Sequence, residues 1–339
     1  MKIVIYIFII NLFIILFFYL LNIFLKSYEH MSMKNIRLNK TLNNHGYDID
    51  EDKFIIKKDN IVIKKYSSKN FNSHESHKIA KNKTLSNSIF YKNNIPVPIH
   101  AIIDSNNKDE YMYNKDIDFP CVLKPIDGMQ GKDVNTFIKN IEQFRKILGE
   151  LLNKYDKVMF ENQVYGDNYR IFVFNDQVLD IIKREQPFVI GDGKETVKDL
   201  IKDKNNLQKK NNLFPTNNLD WNYIKEQGYE EYSILPENKK IFITNTINFH
   251  NGANPVRVNL DNIPDVNKEM FIKAHKLIGL ECSGIDYMSY DITKPYYEND
   301  GHIIEINDMV DTKIHVDADN GKNPNFLFDN IYNSLIEKI

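Results

Sequence analysis

Cysteine is almost absent from this 339-residue chain, which holds only Cys121 and Cys282. Each is embedded in an apolar, strand-like run, so a disulfide framework is excluded and buried free thiols in a reducing compartment are expected. Excess charge of either sign is lacking as well: 44 Lys and Arg stand against 46 Asp and Glu, a formal net charge of −2. That balance excludes an electrostatic nucleic-acid binder. No HExxH occurs, and His74 and His77 in HESH have no companions at ligand spacing, which excludes that zinc chemistry. A GxxxxGK[ST] phosphate loop is missing too. No internal repeat is evident, so a solenoid is excluded.

What the chain does have begins at once. From Ile3 to Leu25 it is almost wholly apolar, with Asn11 and Asn22 as its strongly polar exceptions. A helix needs about 20 apolar residues to cross the bilayer, so this segment is long enough to span. It runs into Lys26-Ser27-Tyr28 with no A-x-A pattern, which favours an uncleaved anchor over a signal peptide. Lys2 stands alone before it, whereas Lys26, Lys34, Arg37 and Lys40 follow, so the rest of the chain is expected on the cytosolic side. Residues 30–80 read as a polar connector with a short hairpin around Asp59-Asn60.

Beyond the connector, helical and strand patterns alternate, giving an α+β chain. A helix is expected over about Lys78 to Lys92, ending before Ile95-Pro96-Val97-Pro98. Phe119 to Leu123 reads as a buried strand ending in Lys124, and Val134 to Phe137 as a second. Between them Asp127-Gly128-Met129-Gln130-Gly131-Lys132 forms a glycine loop whose backbone N–H groups suit phosphate. Phe137, Ile141, Phe144, Leu148 and Leu151 follow helical spacing and are read as core. In KVMFENQVYGDNYRIFVFNDQVLDIIKRE, strand alternation is broken by Glu161 and by Gly166 to Arg170. Gly191-Asp192-Gly193 turns into a helix with Val197, Leu200 and Ile201. A further helix carries Met270, Phe271, Ala274, Leu277 and Ile278, and a closing one carries Phe328, Ile331, Tyr332 and Leu335.

The stretch CSGIDYMSYDITKPYYENDGHIIEIND, residues 282–308, carries the sharpest chemistry. It reads as two strands with an Asn299-Asp300-Gly301 turn before the second. Alternation turns Ile304 and Ile306 to one face and Ile303, Glu305 and Asn307 to the other, with Asp286 opposite Glu305 and Asn307. Two carboxylates and an amide oxygen converging in this way suit a hard divalent ion such as Mg²⁺.

In order, AKNKTLS with IPVP, FPCVLKPIDGMQGKDV, VMFENQVYGDNYRIFV, KREQPFVIGDGKETVKDLI, and LIGLECSGIDYMSYDI followed by IIEIND and His315 resemble the ATP-grasp superfamily. Within it they resemble the ligase domain of cyanophycin synthetase and glutathione-synthetase-type ligases, over roughly residues 78–335. The resemblance implies an α+β ATP-grasp fold, two lobes gripping ATP, and the apolar run at 3–25 would set a single N-terminal transmembrane helix before it. The divisions expected are an anchor at 1–26, a connector at 27–77, a lid lobe at about 84–158 and a C-terminal lobe at about 159–339.

It further implies that Lys83 and Lys124 hold ATP phosphates under a lid of Gly128, Gly131 and Lys132. Phe160, Glu161, Asn162 and Val164 would receive adenine, and Asn168 stands where relatives carry a ribose-binding acid. Arg184 would point at the phosphates and the acyl substrate, Arg184 or Arg257 would stabilise an oxyanion, and Asp286, Glu305 and Asn307 would hold one or two Mg²⁺ or Mn²⁺ ions. The activity implied is an ATP-dependent ligase joining a small carboxylate to an amine through an acyl phosphate. A small-molecule kinase and a degenerate ATP-binding scaffold are the alternatives. Asn307-Asp308-Met309-Val310-Asp311 departs from the Asn-x-x-Pro-Gly of relatives, altering a loop beside the acceptor pocket.

Overall fold

The computed structural model describes residues 47–50, 55–58, 61–65, 72–113, 116–126, 133–211, 213–321, 323 and 326–336. The expected anchor at 3–25 and the glycine loop with Gly128, Gly131 and Lys132 lie outside the described residues. Among the described residues no helix is long and apolar enough to cross a membrane. The chain divides between Lys65 and Tyr66 into two compact units. In the first, β1 (Tyr47–Asp50), β2 (Ile55–Lys58) and β3 (Ile61–Lys65) form an antiparallel sheet in that order, with Lys58 opposite Ile61. The hairpin expected there is present, and β1 extends it.

The second unit contains two larger sheets. β4 (His100–Asp104), β5 (Cys121–Pro125), β6 (Asn135–Ile138) and β7 (Lys157–Asn162) pair antiparallel in the order β4-β7-β5-β6. One face is closed by an amphipathic helix: Phe144, Leu148 and Leu151 recur at helical spacing and pack, at most 3% exposed, on Ile103, Cys121, Leu123, Val158 and Phe160. Its N-cap Asn140 accepts from the Gln143 N–H. Phe137, expected in this stripe, lies instead in β6 and is 45% exposed. The strand β7 belongs to this sheet, so the four-stranded layer extends to Asn162.

The other sheet is built from β8 (Asp167–Phe174), β9 (Gln177–Glu185), β12 (Asn254–Arg257), β13 (Cys282–Ser289) and β14 (His302–Asn307), all antiparallel in the order β12-β9-β8-β13-β14. Its closed face packs Tyr169, Ile171, Val173, Ile181, Ile285 and Tyr287 against Met270, Phe271, Ala274 and Ile278 of the helix Asp265–Ile278. Ala80 and Phe90 join that core, so the segment before the prolines serves this sheet. The expected helix over 78–92 is in fact two, α1 (His74–Lys81) and α2 (Lys83–Lys92). Asn82 separates them: its backbone leaves the helical region at φ −90°, ψ 92°, and its side chain caps the second helix by accepting from the Leu85 N–H. Lys83 thereby becomes the first residue of a helix.

Between β9 and β12 the chain inserts β10 (Phe188–Ile190), the helices Val197–Lys210 and Trp221–Glu226, and β11 (Lys240–Phe242). This insertion has a small core of its own, with Val189, Val197, Ile201, Ile224, Leu235, Ile241 and Ile243 buried.

In β14 strict alternation fails. The register slips between Asp286 and Tyr287, which pair with Glu305 and Ile303, leaving Ile304 as an extra residue. Consequently Ile303 and Ile306 both enter the core, at 0% and 1% exposed, and the expectation that Ile303 shares a face with Glu305 is corrected. Glu305 and Asn307 face the other way, as expected.

The link from the first large sheet to the second turns on Gly166, whose φ is +115°. A Cβ there would lie 2.4 Å from the Ser289 carbonyl carbon and 2.7 Å from the Tyr290 nitrogen. Both obstacles are backbone, so Gly166→Ala is expected to cost about 2–3 kcal/mol, read as a lowered urea midpoint. A loss below about 0.5 kcal/mol, the ordinary surface range, would contradict this packing.

Candidate active site

The open face of the five-stranded sheet carries the charge. Because the strands are in register, Arg257, Ile182, Arg170, Asp286 and Glu305 form one row across all five. A neighbouring row holds Pro255, Arg184, Asn168 and Met288, and another holds Asp180, Phe172, Gly284 and Asn307. Period-two geometry thus brings residues 168, 170, 184, 286, 305 and 307 to one surface.

Asp286 is the centre of that surface. Its Oδ1 accepts from Arg184 Nη2 at 2.9 Å and lies 3.2 Å from Arg170 Nε. Arg184 also donates from Nη1 to Asn168 Oδ1 at 2.9 Å, while its Nε is buried without an acceptor. Arg170 donates from Nη1 to the Gly284 carbonyl at 3.1 Å. With the Asn307 carboxamide turned to suit both neighbours, its oxygen accepts from Arg170 Nη1 at 3.0 Å and its nitrogen donates to Glu305 Oε1 at 3.3 Å. Lys83 closes the ring, its ammonium 3.7 Å from Glu305 Oε2.

Burial alone would raise the Asp286 carboxyl, but Arg170 and Arg184 outweigh it and hold the group below its ordinary value. Burial draws the Arg170 guanidinium below its own ordinary value despite the attraction of Asp286. Two carboxylates and one amide oxygen therefore meet three cations. Among the described residues no group of three or more His, Cys, Asp or Glu forms a metal cage; the oxygen set is Asp286, Glu305 and Asn307, suited to a hard cation shared with a ligand's own oxygens.

The four-stranded sheet contributes a second polar pair on the face away from its helix. Lys124 opposite Met159 and Glu161 opposite Val122 are diagonal neighbours on one side. They form an ion pair of 2.6 Å with side chains 8% and 4% exposed. Glu161 Oε1 is buried with no hydrogen-bond partner. Val164 is buried, as is Phe160, which belongs to the core against Phe144 and Tyr111. The Asn162 N–H donates to the Ile99 carbonyl at 3.0 Å.

Of the residues singled out from sequence, the structure gathers Lys83, Asn168, Arg184, Asp286, Glu305 and Asn307 on one face and joins Lys124 to Glu161. Arg257 goes elsewhere. It makes a two-pronged contact with the buried Asp180 at 3.2 and 3.4 Å, donates to the His315 carbonyl and lies 4.4 Å under the Phe326 ring. His315 shares that carboxylate, with Nδ1 2.9 Å from Asp180 Oδ2. Sequence reasoning missed Arg170, the residue that ties Asp286 to Asn307. The signal was available: it lies two positions beyond Asn168 in the same strand, hence on the same face.

Comparison with known proteins agrees with this arrangement. Residues 80–188 match the RimK-like ATP-grasp domain. The chain is 27% identical over 239 residues to the cyanophycin synthetase of Synechocystis sp., a match covering 67% of this chain and 27% of that protein. It is 26% identical over 257 residues to the glutathione biosynthesis bifunctional protein GshAB of Clostridium perfringens, covering 72% and 32%. The chain thus spans about a third or less of the length of these curated relatives. Its fold is similar to the crystal structure of a bifunctional glutathione synthetase from Pasteurella multocida, with a TM-score of 0.57, 21% identity, and coverage of 86% of this chain and 42% of that one. The stretch that holds Lys83, Lys124, Glu161, Arg170 and Arg184 is accordingly similar to the RimK-like ATP-grasp domain, in a chain similar over about 70% of its length to cyanophycin synthetase and to the glutathione biosynthesis bifunctional protein GshAB.

Proposed function

We propose that this chain is an ATP- and Mg²⁺-dependent ligase that joins a small carboxylic acid, an amino acid or short peptide, to an amine. The observation that carries the reading is the charged cluster on the open sheet face: Asp286, Glu305 and Asn307 ringed by Arg170, Arg184 and Lys83. Two buried atoms without partners fit the nucleotide. Glu161 Oε1 is an acceptor suited to the exocyclic amine of adenine, and Arg184 Nε is a donor suited to a phosphate or acyl oxygen. Asp286, Glu305 and Asn307 would hold the metal, and bound Mg-ATP would supply a phosphoryl group together with divalent charge to offset its transfer.

The protein's own part is positioning and electrostatics. Lys83 and Lys124 would neutralise phosphate oxygens, and Arg184 would orient the substrate carboxylate for phosphorylation. No protein nucleophile is needed, because an acyl phosphate is already activated toward an amine. The segment 3–25 would tether this chemistry to the cytosolic face of a membrane, a reading supported by the basic residues Lys26, Lys34, Arg37 and Lys40 that follow it.

The test uses the full chain in detergent, with ATP, Mg²⁺ and a panel of carboxylic acids and amines, and follows ADP release. Glu305→Gln is expected to lower Mg²⁺-dependent release by about 100-fold or more while the circular dichroism spectrum is retained. Near-normal release from that variant would overturn the site. Hydroxamate on substituting hydroxylamine for the amine marks a ligase; a stable phosphorylated product marks a kinase.

A further inference from the structure

The segment leaving β14 carries an aspartate that the chemistry above does not use. Asp311 Oδ2 lies 3.2 Å from His250 Nε2, with side chains 26% and 40% exposed, so an incoming ligand can reach both. Each partner is fixed locally. Asp311 Oδ1 accepts from the Lys313 N–H at 3.0 Å, and the His250 N–H donates to Asn248 Oδ1 at 2.8 Å. The His250 ring packs on Phe214, with centroids 4.6 Å apart. Asp311 stands four residues beyond Asn307, and the short helix that follows it, Lys313–Val316, carries His315, whose Nδ1 lies 2.9 Å from Asp180, a residue in the same cross-strand row as Asn307. The pair therefore borders the charged row.

An amine reaching an acyl phosphate at neutral pH arrives mainly as an ammonium ion, which has no lone pair to attack with. It needs an anion to draw it in and a base to take one proton. From this geometry we infer that His250 and Asp311 form the amine-receiving end of the site: Asp311 attracts the ammonium and His250 accepts its proton. This rests on the ligase reading. The freed amine attacks the acyl carbon, a C–N bond forms, and the C–O bond to phosphate breaks. The remaining extra nitrogen proton leaves with phosphate as HPO₄²⁻, and the imidazolium returns its proton to water. Among the described residues, the charged groups near His250 include Asp311 and Lys313, whose ammonium lies over the same Phe214 ring and is paired with Asp317.

The experiment has two arms on the full chain. In the first, ATP, Mg²⁺ and an equimolar mixture of the twenty protein amino acids supply acid and amine, or hydroxylamine replaces the amine. Hydroxylamine is already neutral near pH 7 and needs no base. His250→Gln is expected to lower amine-dependent ADP release by about 100-fold and hydroxamate formation by far less, and to remove the rising acid limb of the amine pH profile. Equal losses with both nucleophiles, or none, overturn the base.

The second arm needs no turnover. The His250 Cε1 proton resonance is followed during titration with ethylammonium chloride against sodium chloride at equal concentration. A specific shift in the wild type that is lost in Asp311→Asn is expected, and no specific shift overturns the subsite. A shift in a chain that releases no ADP with any acid retains the cation subsite and sinks the ligase reading.

Discussion

Lys124→Met is expected to lower the stability of the chain by about 3–5 kcal/mol, because it strands the Glu161 carboxylate in a site where that side chain is 4% exposed. The loss comes less from the vanished attraction than from the charge left behind. A buried pair contributes little net stability over a neutral one, whereas half a pair is costly. Lys124→Met with Glu161→Gln should therefore recover at least half of the lost stability in urea unfolding. ATP affinity should not recover with it. Loss of a charge-assisted phosphate contact of about 1.5–3 kcal/mol would weaken binding roughly 10- to 100-fold in both variants. A single variant within about 1 kcal/mol of the wild type would mean that the pair is not the sealed unit seen at 2.6 Å.

Asp286→Asn makes the complementary case, with two cations left facing each other. Arg170 and Arg184 both depend on Asp286 Oδ1, and the change is expected to cost about 3 kcal/mol at neutral pH. The acid dependence carries a sign. The Asp286 carboxyl is held below its ordinary value of 3.8, so its contribution is complete above about pH 4 and is lost as pH falls through the folded-state value. Urea midpoints at pH 7 and pH 3 should thus converge between wild type and variant. A gap that stays constant with pH would assign the destabilisation to shape and not to charge.

Much of this was legible in the sequence because the decisive side chains lie in strands, where period two fixes the face. Asp286 opposite Glu305, Asn307 on the same side, and Lys124 at the end of an apolar strand all follow from alternation, together with the order of the quoted segments. Three features escaped for physical reasons. Asn82 reads as one more polar helix residue, and its capping role depends on a backbone turn that composition does not reveal. Arg257 sits in the same cross-strand row as Asp286, but Asp180, more than seventy residues earlier in the chain, engages it first. The slip at Ile304 is invisible to any pattern that assumes an unbroken pleat. Arg170 was a lapse of a different kind, since the face of its neighbour Asn168 already located it.

That slip has a consequence for how the strand can vary. One unpaired isoleucine lets the residues before it follow one phase and those after it the opposite phase, so apolar packing at Ile303 and the charged face at Glu305 are set independently. Such a strand behaves as two short words separated by a spacer. Excising the spacer would leave both words on their present faces, since Ile303 and Glu305 would still pair with Tyr287 and Asp286, whereas drawing Ile304 into regular pairing would turn the carboxylate among hydrocarbons and expose Ile306 in its stead.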